Sequence, residues 1–339
     1  LYINGQWIDS TEDRWIEVED PATKEVYAKV PRSTEADTRK AIDAAKKAFP
    51  NWKDTPIDDR ILYMEKLYAY IKEHEEDIAK ELSRELGCTY DVALEGQVRM
   101  TYSEIEATIK AAREHEMVEE IENTKIISEP YGVVAAITPW NYPLSQITRK
   151  IFPALLAGNT VVLKPSQNTP ITAYFVADGC DFIKLPEGVL NLVTGRGSEV
   201  GSVLAKSKDV DMISFTGSTE GGSTLGAQAQ ETVKKVQLEL GGKSPALVLE
   251  DADVELVAKK VLDTVYSNVG QTCSCLSRVV APRSIKQELE EALIEETKKY
   301  TFGNPYDEGT KVGPLSSKKQ FEKVTSYVAI GKSEATLLY

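Results

Sequence analysis

Five short apolar runs constrain this chain more than any other feature: Gly132–Ile137, Thr160–Leu163, Val189–Val193, Met212–Phe215 and Ala246–Leu249. Runs of Val, Ile and Leu without polar alternation belong inside a sheet covered on both faces. The longer stretches between them have room for helices, and a helical crossover returns the chain to pair its next strand in parallel. The prediction is an α/β fold, a Rossmann-like parallel sheet with helices on both faces that binds ligands at the carboxyl ends of its strands. From Lys243 a second α/β pattern begins, with a helix in Asp251–Asn268, a strand Arg278–Ala281, a helix to about Lys299 and a loop at Gly303–Tyr306. The last residues, Ala335–Tyr339, read as the interior of a strand.

Upstream, Leu1 to about Val30 reads as an edge hairpin of short strands, with turn signals at Asn4-Gly5 and Asp20-Pro21. Ser33 is expected to cap a helix that aligns Ala41, Ile42, Ala45, Ala48 and Phe49 and ends at Pro50. Ile57 to His115 is helical in pattern, with packing stripes such as Ile61, Met64, Tyr68 and Ile71. Met117–Glu129 turns polar and β-like, an arm or a linker.

At 339 residues the chain exceeds one ordinary core, so two core units, or one large α/β unit with additions, are expected. A net charge of −13 argues against nucleic acid, which binds through Lys and Arg clusters. No apolar run is long enough to span a bilayer, so no membrane partner is expected. The opening residues lack the basic and apolar regions of a secretory signal, and the missing Met implies that the extreme N-terminus lies outside this sequence. Cys88, Cys180, Cys273 and Cys275 show no disulfide framework spacing and fit a reducing cytoplasm. With only His74 and His115, a histidine triad or histidine-rich metal site is not expected, and Cys273-x-Cys275 supplies only two metal ligands.

Cys273 sits in a polar, glycine-containing segment, Asn268–Arg278, between a helical pattern and an apolar run. A thiol attacks only as the thiolate, which needs partial exposure and local dipoles or a base; a packed cysteine is the equal alternative. Gly195-Arg-Gly197-Ser-Glu-Val-Gly201 follows a strand-like run, without the spacing of the usual dinucleotide fingerprint. After the next strand comes Phe215-Thr-Gly-Ser218, where Gly217 permits close backbone approach and Ser218 can open a phosphate-facing helix. Lys164 ends another strand and can reach ribose or phosphate oxygens. Glu239, between leucines and ahead of two glycines, is a candidate base whose burial would raise its pKa. Asn141, between two prolines and two aromatics, is either an oxyanion donor or a turn residue.

Together these segments resemble the aldehyde dehydrogenase superfamily. Six motifs occur in the family's order: Pro139-Trp-Asn-Tyr-Pro143, Lys164-Pro-Ser166, Gly195 to Gly201, Phe215-Thr-Gly-Ser218, Glu239-Leu-Gly-Gly-Lys243 and Gly270-Gln-Thr-Cys273. The resemblance implies a coenzyme domain begun by residues 1–115, a β-like arm or oligomerisation segment at 116–130, a Rossmann-like core at 131–242 and an incomplete catalytic domain at 243–339. It implies oxidation of a small-molecule aldehyde to the acid with NAD or NADP. Cys273 is then the nucleophile, Asn141 the oxyanion donor, Glu239 the base that activates hydrolytic water, and Lys150 the lysine beside it. The cofactor would be held by Ile137, Thr138, Pro139, Trp140, Lys164, Ser166, Gln167, Gly197, Gly201, Phe215, Gly217, Ser218, Leu240 and Gly241. A homodimer or homotetramer is also implied.

Departures from the family pattern carry their own expectations. Gln167 stands where NAD-preferring members carry Glu, so a 2′-phosphate meets no carboxylate and NADP stays open. The Gly221-Gly222 pair replaces an apolar residue, removing a packing contact from the adenine. The family's chain continues past Tyr339 with part of the nicotinamide and substrate walls, so a weakly active or inactive fragment that only binds dinucleotide or partner chains is the second reading. Cys275, two residues from the nucleophile, can enter oxidative bridging.

Overall fold

The computed structural model describes residues 1–339 and contains thirteen strands in chain order: β1 (Tyr2–Ile3), β2 (Gln6–Trp7), β3 (Trp15–Glu19), β4 (Val26–Pro31), β5 (Val118–Ile121), β6 (Thr124–Ile127), β7 (Val133–Ile137), β8 (Thr160–Lys164), β9 (Leu190–Leu192), β10 (Met212–Thr216), β11 (Lys235–Glu239), β12 (Pro245–Leu247) and β13 (Arg278–Val280). The main sheet has the order β11-β10-β7-β8-β9-β1-β2. Pairing is parallel from β11 to β9, and β1 joins β9 antiparallel through Tyr2 and Leu192.

The apolar runs explain the layers. Along β7 every residue is buried, and alternate side chains serve opposite faces. Val134 and Ala136 join the larger core with helix residues Met64, Leu67, Leu82, Ile105, Ile147 and Leu155. Val133, Ala135 and Ile137 join the other core with Ala41, Ile42, Leu204 and Leu225. The expected α/β sheet with two helical layers is therefore present. A separate small sheet pairs β12 with β13 in parallel over a cluster of Val248, Val254 and Leu289. β5 and β6 form a hairpin whose residues are all exposed.

Three local expectations change. The first long helix, Glu35–Lys53, is capped by Thr34 rather than Ser33: Thr34 and Asp37 form a capping box, while Ser33 is fully buried one residue earlier. Pro50 does not end that helix, which runs to Lys53. Its final turn is held by buried Trp52, whose Nε1 donates to Leu155 O at 3.1 Å. Ala335–Tyr339 forms no strand; it follows the helix Lys318–Glu334 as exposed extended chain, and an apolar pattern without a paired neighbour cannot make a ladder.

Candidate active site

The sheet reverses its order between β7 and β10, because the chain steps outward through β8 and β9 and then returns to the other side of β7. Loops leaving the carboxyl ends there diverge and open a crevice. The motifs flank it. Ile137 ends β7 and leads into Thr138, Pro139, Trp140 and Asn141, while Phe215 near the end of β10 leads into Gly217 and Ser218. Ser218 Oγ accepts from Gly221 N at 3.1 Å and caps the helix Thr219–Gln230.

Lys164 ends β8 and is 3% exposed, and its Nζ donates to Pro165 O at 2.8 Å. Burial pushes its ammonium down to about 8 from an ordinary 10.5. The unfolded chain therefore binds more protons between those pH values, and native stability rises with pH across that window. Lys164→Met removes the penalty. Its unfolding midpoint should exceed the parent's at pH 7, with the gap closing as pH approaches 10.5; a constant gap in pH-resolved melting would refute this.

Beside Lys164, Thr138 N donates to Lys164 O at 3.1 Å, and Thr138 Oγ1 is buried without a partner. Ser166 Oγ accepts from Asn168 N at 3.2 Å, and Gln167 is exposed. Gly197 and Gly201 bound a single wide helical turn in the connection that follows β9. A Cβ at Gly197 or Gly241 would meet nothing within 4 Å, leaving the backbone open to a ligand.

Other glycines record close packing. A Cβ at Gly222 would lie 2.6 Å from Leu240 Cδ2, and one at Gly242 would lie 2.7 Å from Cys273 O. Leu240 thus fills the space beside Gly222 that the sequence left without an apolar residue. The Gly242 contact fixes the cysteine segment against the chain leaving β11.

Cys273 is exposed and free, whereas Cys275 is 9% exposed, its thiol pushed up by burial and pulled down by Lys243. Glu239 is exposed at the tip of β11, contrary to the burial expected from its leucine neighbours, because β11 is the edge strand of the sheet. Lys150 is 7% exposed and donates from Nζ to Ser214 Oγ at 2.9 Å. Burial pushes its ammonium down to about 8, opposed by the charge of Glu239.

Asn141 reaches the cysteine segment directly, with Nδ2 donating to Gln271 O at 2.7 Å. Its neighbour Tyr142 shares a hydrogen bond with Thr272 Oγ1 at 2.9 Å. Sequence reasoning missed this support. Tyr142, Asn268 and Gln271 lie inside the motif and cysteine segments but show no partner in the sequence, and Gln97 is 44 positions from the carbonyl it contacts. Arg149 was missed too. Glu104, followed more weakly by Cys273 and Glu239, holds its guanidinium above the usual range against the effect of burial.

The sheet and its crevice define a dinucleotide-binding α/β protein with an exposed cysteine at the crevice. The sequence profile of the aldehyde dehydrogenase family matches residues 7–339, and the chain belongs to that family. It is similar to aldehyde dehydrogenase C of Pseudomonas syringae, solved with NAD+ and octanal: 37% identity and a TM-score of 0.96 over 98% of this chain and 69% of that one. Lactaldehyde dehydrogenase of Escherichia coli shares 39% identity with a TM-score of 0.94, covering 98% of this chain and 71% of that one. Betaine aldehyde dehydrogenase of Staphylococcus aureus, solved with NAD+, shares 36% identity with a TM-score of 0.95, covering 100% and 68%. No helix is long and apolar enough to cross a membrane.

Proposed function

We propose that this chain oxidises an aldehyde to its carboxylic acid with NAD+ or NADP+ through a covalent adduct on Cys273. The observation that carries this is the hydrogen bond from Asn141 Nδ2 to Gln271 O, which joins the β7 loop to the segment of the exposed thiol. A carboxamide has two N–H donors, so the second remains for an oxyanion on an aldehyde bonded to Cys273.

The crevice suits a dinucleotide. Thr138 supplies an unpartnered buried hydroxyl, Lys164 a buried amine, and Gly197 and Gly241 open backbone, with Gly201 buried at the end of the Gly197 turn; the capped helix at Ser218 presents amides to phosphate. Ile137, Pro139, Trp140, Ser166, Phe215 and Leu240 complete the walls. When bound, the nicotinamide supplies the hydride acceptor that turns the thiohemiacetal into a thioester.

Cys273 first adds its thiolate to the aldehyde carbon, and the carbonyl electron pair moves to oxygen, where Asn141 donates. Glu239 then takes a proton from the water that attacks the thioester, releasing the acid and restoring the thiolate. Lys150, the buried amine within electrostatic range of Glu239, adds positive charge beside the base when it is itself protonated. Arg149, paired through Nε and Nη2 with both carboxylate oxygens of Glu104, lies within electrostatic range of Cys273 and Glu239. The exposed β5–β6 hairpin is the arm through which subunits would pair.

The test is a panel of lactaldehyde, octanal and betaine aldehyde with NAD+ and NADP+, following reduced cofactor and acid together. Equal yields of the two products are expected; saturable cofactor binding without turnover would favour a binding-only protein. Gln167→Glu should weaken NADP+ binding about tenfold more than NAD+ binding, because a carboxylate repels the 2′-phosphate. Equal losses for both cofactors in calorimetry would refute the assignment of Gln167 to the ribose end.

A further inference from the structure

Just before the nucleophile the backbone takes three consecutive left-handed residues: Asn268 (φ 50°), Val269 (φ 60°) and Gly270 (φ 72°). Glycine adopts this conformation freely and asparagine tolerates it, but for β-branched valine it is strained by about 1–3 kcal/mol. Strain of this kind persists only where surrounding contacts hold it. Here they converge on one carbonyl. Asn141 O accepts from Asn268 Nδ2 at 2.7 Å and from Gln97 Nε2 at 3.2 Å, so both its lone pairs are engaged from different elements.

Both donors are buried, Asn268 at 3% exposure and Gln97 at 0%, and each leaves its own amide oxygen without a partner. A buried unpaired acceptor costs about 1–3 kcal/mol. Turning either amide over would set oxygen against the Asn141 carbonyl, so the orientation is forced. The loop closes on itself as well: Gln271 N and Nε2 both donate to Asn268 O, at 3.0 and 3.1 Å, and Gln271 Oε1 accepts from Ser316 N at 3.0 Å.

We propose that Asn268 and Gln97 are positioning residues that clamp the Asn141 peptide and thereby aim its side-chain amide at the oxyanion formed on Cys273. The clamp deepens the function proposed above and rests on Asn141 being the oxyanion donor. It sets the rate of attack on carbonyl carbon, not the reactivity of the thiol itself.

Two reagents separate these quantities without any cofactor. p-Nitrophenyl acetate acylates the thiolate: sulfur bonds to the carbonyl carbon, the electron pair moves to oxygen, and the oxyanion collapses with loss of p-nitrophenolate. Iodoacetamide alkylates the same sulfur by displacing iodide from a saturated carbon, with no oxyanion. Asn268→Gly accommodates the left-handed backbone and deletes the clamp together with a longer contact from Asn268 Nδ2 to Gln271 O at 3.5 Å, while Gln97→Met deletes the second donor and keeps the volume. Each should slow acylation about 10- to 100-fold, approaching the effect of removing an oxyanion donor, and leave alkylation within about twofold. Asn141→Ala should do the same.

Loss of both reactions in parallel in both clamp variants would mean mere loop structure and overturn the proposal. Unchanged acylation in both clamp variants, with Asn141→Ala slowed, would overturn the clamp and leave the oxyanion assignment standing. Unchanged acylation in Asn141→Ala would remove the oxyanion assignment itself.

Discussion

Replacing Cys273 by Ser should lower aldehyde oxidation by roughly four to six orders of magnitude, the scale seen when a covalent nucleophile is removed. A serine hydroxyl at neutral pH has almost no alkoxide, and the hydrogen-bond partners of the cysteine segment include Asn141, Tyr142 and Ser316 but no histidine to take its proton. Cofactor binding should be retained, because Lys164, Ser218 and the Gly197 turn are untouched. Stopped-flow absorbance of reduced cofactor, with calorimetry for binding, checks both halves. Turnover within tenfold of the parent would show that Cys273 is not the nucleophile.

The second large effect is expected from Glu239→Gln, which should reduce steady-state turnover roughly 10²- to 10⁴-fold, the range for a general base. The distinguishing feature is what survives. Hydride removal precedes the step assigned to Glu239, so one equivalent of reduced cofactor should still appear per site in the first turnover. The acyl group should then persist on Cys273 and add its mass to the protein. Loss of the first-turnover burst would place Glu239 before thioester formation. Its exposed position at the tip of β11 suits a group that exchanges protons with solvent between turnovers.

Local composition singled out Cys273, Glu239 and Asn141 as candidates but left packing or a turn as equal readings for Cys273 and Asn141; the ordered set of motifs, through the family resemblance, chose between them. Ser218 was legible as a helix start from its place after the Phe215-Thr-Gly turn. Where physical context is set elsewhere, local reading failed. Glu239 was expected to be buried because leucines flank it, yet an edge strand exposes even such a residue. Pro50 looked like a stop, yet Trp52, anchored on Leu155, carries the helix three residues further.

Periodicity alone determined the parallel sheet, because short apolar runs separated by helix-length stretches leave few other ways to satisfy backbone hydrogen bonds in a buried interior. Tertiary structure decided which polar side chains gather at the cysteine segment. Gln97 and Arg149 carry no distinguishing local pattern, and Asn268 and Gln271, though inside the singled-out segment, show no partner in the sequence. Their roles come from hydrogen bonds and charges that act over a few ångströms between segments far apart in the chain, and only the folded order of the strands brings those segments together.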